Sequence, residues 1–212
     1  VHESYDGPAM EAVSVSVEPG GLEVVALPAR NLAGTMKGQY AYTVRGTRPF
    51  IAYQFNPLDN VNPVYSNDAS LLLPIAAVGN RYVAVTGASA SFVTVVATEA
   101  DTWVTVKPTG EVQAGGEIPA LTAGEEHQEL LGKGEVLHLS TVDLENVDLT
   151  GTTIEGTKPI VVFSGSVLSA TPGGKCCADH LEQQLFPVET WGKTYVATKS
   201  QARGIEMDYW RI

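Results

Sequence analysis

The chain has 212 residues, 44% of them hydrophobic and only 17% charged, with a formal net charge of −11. That balance suits a globular chain of one large all-β domain or two of about 100 residues, and the negative charge argues against nucleic acid and anionic membrane as partners, since both are polyanions. No apolar run reaches the roughly 18 residues of a membrane-spanning helix, so no membrane insertion is expected, and two adjacent cysteines, Cys176 and Cys177, are no disulfide scaffold.

Residues 1–11 (VHESYDGPAME) are polar and suit a leading strand or tail. The chain begins at Val1 rather than Met, which marks it as an excised piece, so the missing leader says nothing about compartment. Val13-Ser-Val-Ser-Val17 alternates with the period of a half-buried strand. Pro19-Gly20-Gly21 turns the chain, and Leu22–Leu27 is the next expected strand, closed by Pro28. Gln39–Val44 alternates around Tyr40 and Tyr42, and Arg45–Pro49 turns again. Phe50–Phe55 is nearly all apolar, which predicts a central strand buried on both faces. Asn56–Asn67, with two prolines and four asparagines, reads as a long surface loop.

Asn67-Asp68 ahead of Ala69–Leu73 predicts a capped helical turn stopped by Pro74. Strands are expected at Tyr82–Val85, Ser91–Thr98 and Thr102–Val106, and short strands at this spacing indicate a β-sandwich or barrel. Lys107–Glu125, rich in Gly, Pro and Ala, suits a junction. Beyond it, Asp148–Pro159 leads to a buried strand at Ile160–Phe163, then a loop at Thr171–Lys175. Asp179, with Glu182 three residues on, predicts a second capped turn stopped by Pro187.

This order repeats. Tyr42–Pro49 (YTVRGTRP) and Thr152–Pro159 (TTIEGTKP) share the frame T-[VI]-x-G-T-[RK]-P, followed each time by an apolar run. Leu72–Ala84 and Leu185–Ala197 share P-[IV]-x-x-[VW]-G-x-x-Y-V-A. Pro49 and Pro159 stand 110 residues apart, Pro74 and Pro187 113 apart. Matches in the same order at nearly the same offset predict a duplicated unit, chance likeness of β-rich segments being the plain alternative. The expectation is therefore two tandem β-sandwich units, 1–108 and 126–212, joined by residues 109–125. Glu206–Ile212 aligns with Ser91–Thr98, and nothing follows it to match Thr102–Val106. The second unit is thus expected to be cut short, or its missing strand to come from elsewhere, residues 1–17 being one candidate.

The residues with chemical potential are Cys176, Cys177, Asp179, His180 and Glu182, within seven positions. His-Leu-Glu-Gln-Gln is not H-E-x-x-H and no C-x-x-C is present, so the metal pattern is poor, and capping explains both carboxylates. Cys177 near His180 could be a nucleophile and base, but such a pair needs a third group and a cleft. The cysteines could bridge each other, pair elsewhere or stay reduced. His2, His127 and His138 are scattered, and no Gly-rich phosphate cradle is present. Trp103, Trp191 and Trp210 are expected to pack in cores, with Trp191 alternatively an exposed ligand platform.

Asp148–Ile154 (DLTGTTI), Lys158–Gly165 (KPIVVFSG), Cys177–Leu185 (CADHLEQQL), and Pro187–Tyr195 with its Trp191-Gly192 together resemble the N-terminal domain of the IgG Fc-binding protein family. Phe55-Asn-Pro57, Asn67–Pro74 and Ala97–Val106 extend the likeness over most of the chain. The resemblance implies a secreted or cell-surface protein, with this module set among adjacent domains of a larger chain. The family's founding member is a mucus-associated protein named for binding immunoglobulin Fc, and similar domains occur in bacterial surface proteins, which this acidic chain resembles most. It supplies no agreed catalytic or ligand residues. The expected function is a non-enzymatic extracellular binding or adhesion module, without a cofactor, that recognises a protein or glycoprotein ligand. The alternative is an enzyme or metal-binding module centred on Cys177, Asp179, His180 and Glu182, and the residues carried forward are these four with Cys176, Trp191 and Asp68.

Overall fold

The stretch Thr102-Trp-Val-Thr-Val-Lys107 alternates strictly, burying Thr102, Val104 and Val106 and exposing Trp103 and Lys107. The period-2 geometry of a strand requires this of a sheet with one face on a core, and the rest of the fold is built on the same rule. The computed structural model describes residues 2–3, 12–28, 30–57, 67–141, 146–170, 178–201, 204 and 207–211. The described elements are β1 (His2–Glu3), β2 (Met36–Gly38), β3 (Tyr42–Thr43), β4 (Ala52–Pro57), β5 (Asn67–Leu72), β6 (Arg81–Val83), β7 (Ser91–Ala97), β8 (Thr102–Lys107), β9 (His127–Leu131), β10 (Val136–Ser140), β11 (Thr153–Gly156), β12 (Ile160–Ser169) and β13 (Asp179–Gln184). Two short 3-10 turns, Ile75–Ala77 and Val188–Thr190, complete them. The all-β class expected from the sequence is what these elements form.

Five strands make one antiparallel sheet in the order β13-β12-β7-β10-β2, and four make a second in the order β6-β11-β8-β9. Val93, Val95, Leu137, Leu139, Ile160 and Val162 of the first sheet pack on Tyr82, Val104, Val106, Leu131 and Ile154 of the second, in one buried cluster. Two further ladders, β1-β3 and β4-β5, have two strands each.

The strands do not divide at residues 109–125. β7 lies between β12 and β10, with Val95 opposite both Val162 and Leu137. β11 likewise lies between β6 and β8. The expectation of two separate tandem sandwiches thus gives way to one core shared by both halves of the chain. The proposed junction is part of that core. Val112 and Leu121 bridge each other, as do Gly115 and Ile118, and Val112, Ile118 and Leu121 are buried. A Cβ on Gly115 would sit 2.0 Å from the Thr35 carbonyl oxygen, so only glycine fits where these backbones meet.

Other expectations also need correction. Val13–Val17 is exposed, Leu22–Leu27 is exposed but for half-buried Val25 and Leu27, and neither segment joins a described sheet. Alternation sets the face a residue points to, but a strand also needs a neighbour. The apolar Phe50–Phe55 is exposed, with Ile51 at 77% and Phe55 at 74%. Among described strands β4 pairs only with β5, so one edge has no described partner. Its counterpart Ile160–Phe163 is the buried strand the sequence predicts, flanked by β7 and β13. The helical turns expected ahead of Pro74 and Pro187 are strands β5 and β13 instead, and each 3-10 turn follows its proline. Proline's fixed φ, −64° and −66° here, suits the start of a helical turn rather than its end. Of the loop expected at Asn56–Asn67, Asn56 and Pro57 instead end β4 and Asn67 starts β5, and the remainder, like the loop expected at 171–175, lies outside the described residues.

β11 tests the facing rule most simply, because Ile154 is 1% exposed and Glu155 beside it faces solvent. Ile154→Ala should cost about 2–4 kcal/mol through the cavity it leaves, and Glu155→Ala should stay within about 0.5 kcal/mol. Urea unfolding of the two variants measures both.

Candidate functional site

Asp179-His-Leu-Glu-Gln-Gln184, which carries most of the residues with chemical potential, forms β13, the edge of the five-stranded sheet. An edge strand has a row of N–H and C=O groups with no ladder partner. Alternation puts His180 and Gln184 inward with Glu182 half-buried. A Cβ on Gly165 would come within 1.7 Å of the Leu181 carbonyl oxygen, so glycine at that place in β12 lets β13 approach.

β5 closes the edge with side chains. Asp68 Oδ2 accepts the Glu182 N–H at 2.6 Å, and Ser70 Oγ accepts the Gln184 N–H at 2.8 Å. In return, Gln184 Oε1 accepts the Leu73 N–H at 2.7 Å. β4 reaches over the same seam: Gln54 Nε2 donates to Glu182 Oε1 at 2.8 Å, and Asn56 Nδ2 lies 3.0 Å from His180 Nε2. An amide N–H can only donate, so His180 Nε2 accepts and its proton is on Nδ1, which points at the Val167 carbonyl 3.4 Å away.

Asp68 and Asp179 each accept the N–H of the next residue, at 2.7 and 2.9 Å. They bind backbone N–H groups as the sequence suggested, but at the start of a strand rather than of a helix. Burial pushes the Glu182 carboxyl above its ordinary range; the Gln54 hydrogen bond opposes this and the Asp68 charge adds to it. His180 stacks on Phe92, ring centres 5.8 Å apart, and Phe92 lies 5.5 Å from His138. His138 sits in β10 with Thr94 Oγ1 2.7 Å from its Nδ1, and burial pushes its pKa down to about 4.

The structure therefore brings Asp68, Asp179, His180 and Glu182 to one seam and gives each a structural partner. Cys176 and Cys177 lie outside the described residues. Among the described residues no group of three or more His, Cys, Asp or Glu is placed to hold a metal ion. Trp191 stands apart, just past the second 3-10 turn. It is 52% exposed beside exposed Phe186, whose carbonyl accepts its Nε1–H at 3.3 Å, so the platform reading of Trp191 describes its position better than core packing. Gln54, Asn56, Ser70 and Gln184 carry the seam and went unremarked in the sequence. The signal for two of them, Ser70 and Gln184, was alternation, which puts Asp68 with Ser70 and Glu182 with Gln184 on single faces.

A family profile described as IgGFc binding protein matches residues 68–212, more than half of the chain. No curated protein and no solved structure matches the chain significantly.

The His138 depression has a definite sign. Unfolded histidine takes up a proton near pH 6.5, but the folded ring resists until about 4. In that window the unfolded state binds more protons, so stability falls as pH falls, by on the order of 3 kcal/mol once both values are passed. Glu182, raised by folding, works the other way and favours the fold as pH drops. Urea titrations at pH 7, 5.5 and 4 should show the loss of stability, reduced in His138→Gln and enlarged in Glu182→Gln.

Proposed function

The chain belongs to the IgG Fc-binding protein family, and on that premise we propose that it is a non-enzymatic protein-binding module of an extracellular or cell-surface protein, working beside adjacent domains of a larger chain. The ligand class is a protein or glycoprotein. Family membership carries the reading, and two local features support it. His180, the one histidine in the motif, has its ring enclosed, with Asn56 at one nitrogen and the Val167 carbonyl at the other, which favours a structural role over proton transfer. Trp191 and Phe186 give an exposed aromatic pair just past β13, the residue type that most often anchors protein interfaces. The net charge of −11 favours ligands with basic or neutral surfaces.

Biolayer interferometry with immobilised immunoglobulin Fc and, separately, a mucin glycoprotein tests the proposal. Saturable binding to either supports it, and Trp191→Ala should weaken that binding about 30-fold, the loss of a hot spot of about 2 kcal/mol, with an unchanged melting temperature. Binding that Trp191→Ala leaves intact would remove the platform, and no binding to either probe would overturn the ligand class.

A further inference from the structure

The duplication seen in the sequence is present in the structure, but as local units rather than as two sandwiches. Hairpin β4-β5 corresponds to hairpin β12-β13, and each leads through a proline into a 3-10 turn. Ala77 N–H donates to Pro74 at 2.8 Å, and Thr190 N–H to Pro187 at 2.9 Å. Past the turns, Gly79 N–H donates to Tyr82 Oη at 3.0 Å, and Gly192 N–H to Tyr195 Oη at 2.8 Å. The two copies then diverge. Tyr82 and Val83 enter β6, and Tyr82, 1% exposed, donates its hydroxyl proton to the Ile160 carbonyl. Tyr195 is 74% exposed, and residues 194–200 join no strand among the described residues.

β6 pairs with β11: Thr153 opposite Val83, Ile154 opposite Tyr82, Glu155 opposite Arg81. The frame shared with β11 occurs once more, at Thr43-Val44-Arg45. β11 has a neighbour on each side, β6 and β8, whereas the described ladders give β3 only β1. The strand after this frame is buried in the second copy and exposed in the first, with Phe50, Ile51, Tyr53 and Phe55 uncovered. Both parts of a second pairing are thus in the chain, and both are exposed.

Their relation to each other is set by the seam. Asp68 faces Glu182 and Ser70 faces Gln184, an offset of 114, within one residue of the 113 between Pro74 and Pro187. Equivalent strands lie side by side, each with its hairpin mate on the far side, and the order β4-β5, β13-β12 reads the same from either end. Only an approximate two-fold axis between β5 and β13 gives that order; simple translation would not. The axis that interchanges the hairpins also exchanges the β6–β11 pair for residues 194–196 against 43–45, and it lies within one chain.

We propose that residues 43–45 and 194–196 pair with each other within the same chain, with Val44 opposite Tyr195, Thr43 opposite Val196 and Arg45 opposite Thr194, and that this pairing brings the Tyr195 hydroxyl to the Phe50 carbonyl and covers the apolar β4. The closing segment is the chain's own. A tethered segment competes at an effective concentration in the millimolar range, well above a second copy at micromolar protein.

Photo-crosslinking tests the register and the partner together. The full chain carries p-benzoylphenylalanine in place of Tyr195 or, in a second variant, of Val196, leaving the native Tyr195 hydroxyl in place. It is irradiated at micromolar concentration, separated by size and mapped by mass spectrometry. The expected product is a monomer crosslinked to the peptide containing residues 42–50, exceeding crosslinked dimer by on the order of ten-fold or more. Crosslinks to the same peptide in the dimer band would assign the pairing to a second copy and overturn the proposal. Crosslinks elsewhere, or none from either position in a chain that keeps its cooperative melt, would overturn it equally.

Discussion

The fold depends on how β7 is held. Its seven residues lie between β12 and β10, every position from Ser91 to Ala97 is buried or half-buried, and both neighbours come from the other half of the chain. A strand enclosed on both edges loses one of its two ladders if either partner is removed, and it carries Val93, Val95 and Ala97 of the core. Because the ladder pairs join residues at least 40 positions apart, neither half completes this core alone. The loop-closure entropy of such contacts has to be offset by burial formed together rather than piece by piece.

The same constraint accounts for the seam. β12 needs β13 on its outer edge, and β13 then becomes the exposed edge of the sheet. The side chains of Asp68 and Ser70 occupy two of its N–H groups, blunting the edge without extending the ladder. The run Asp179–Gln184 thus has a structural reason for its composition. Gln184 is both donor and acceptor across the seam, His180 is fixed between Asn56 and Val167, and Glu182 accepts from Gln54 while its own N–H is bound. Trp191, just beyond, takes no part in these contacts and is exposed.

Much of this was legible in the residues. Strands were expected where β6, β7 and β8 lie, the apolar run marked the start of β12, and matching Gly, Pro and Tyr positions marked the duplication, whereas β11 was read only as a lead into β12. What sequence did not show was which strand lies beside which. Periodicity assigns faces, not neighbours, so two copies of one pattern looked like two domains, and Phe50–Phe55 was assigned the burial that only Ile160–Val162 receives. Val112, Ile118 and Leu121 were hidden for another reason: glycines and prolines around them mark turns whether the turn links two bodies or folds back on one core. Asp68 and Asp179 were recognised as acceptors of backbone N–H groups, but a carboxylate before a short apolar run looks the same at the start of a strand as at the start of a helix. The seam's other half, Asn56, Gln54 and Ser70, has no signature beyond its place on an alternating face.

Cross-strand contacts of β7 decide whether one core spans both halves. In uniformly labelled protein, the nuclear Overhauser spectrum should connect Val95 to both Val162 and Leu137, and Thr94 to both Phe163 and His138, as the antiparallel registers place them. Contacts of Val95 and Thr94 confined to strands within residues 12–108 would contradict the shared sandwich and restore two separate units.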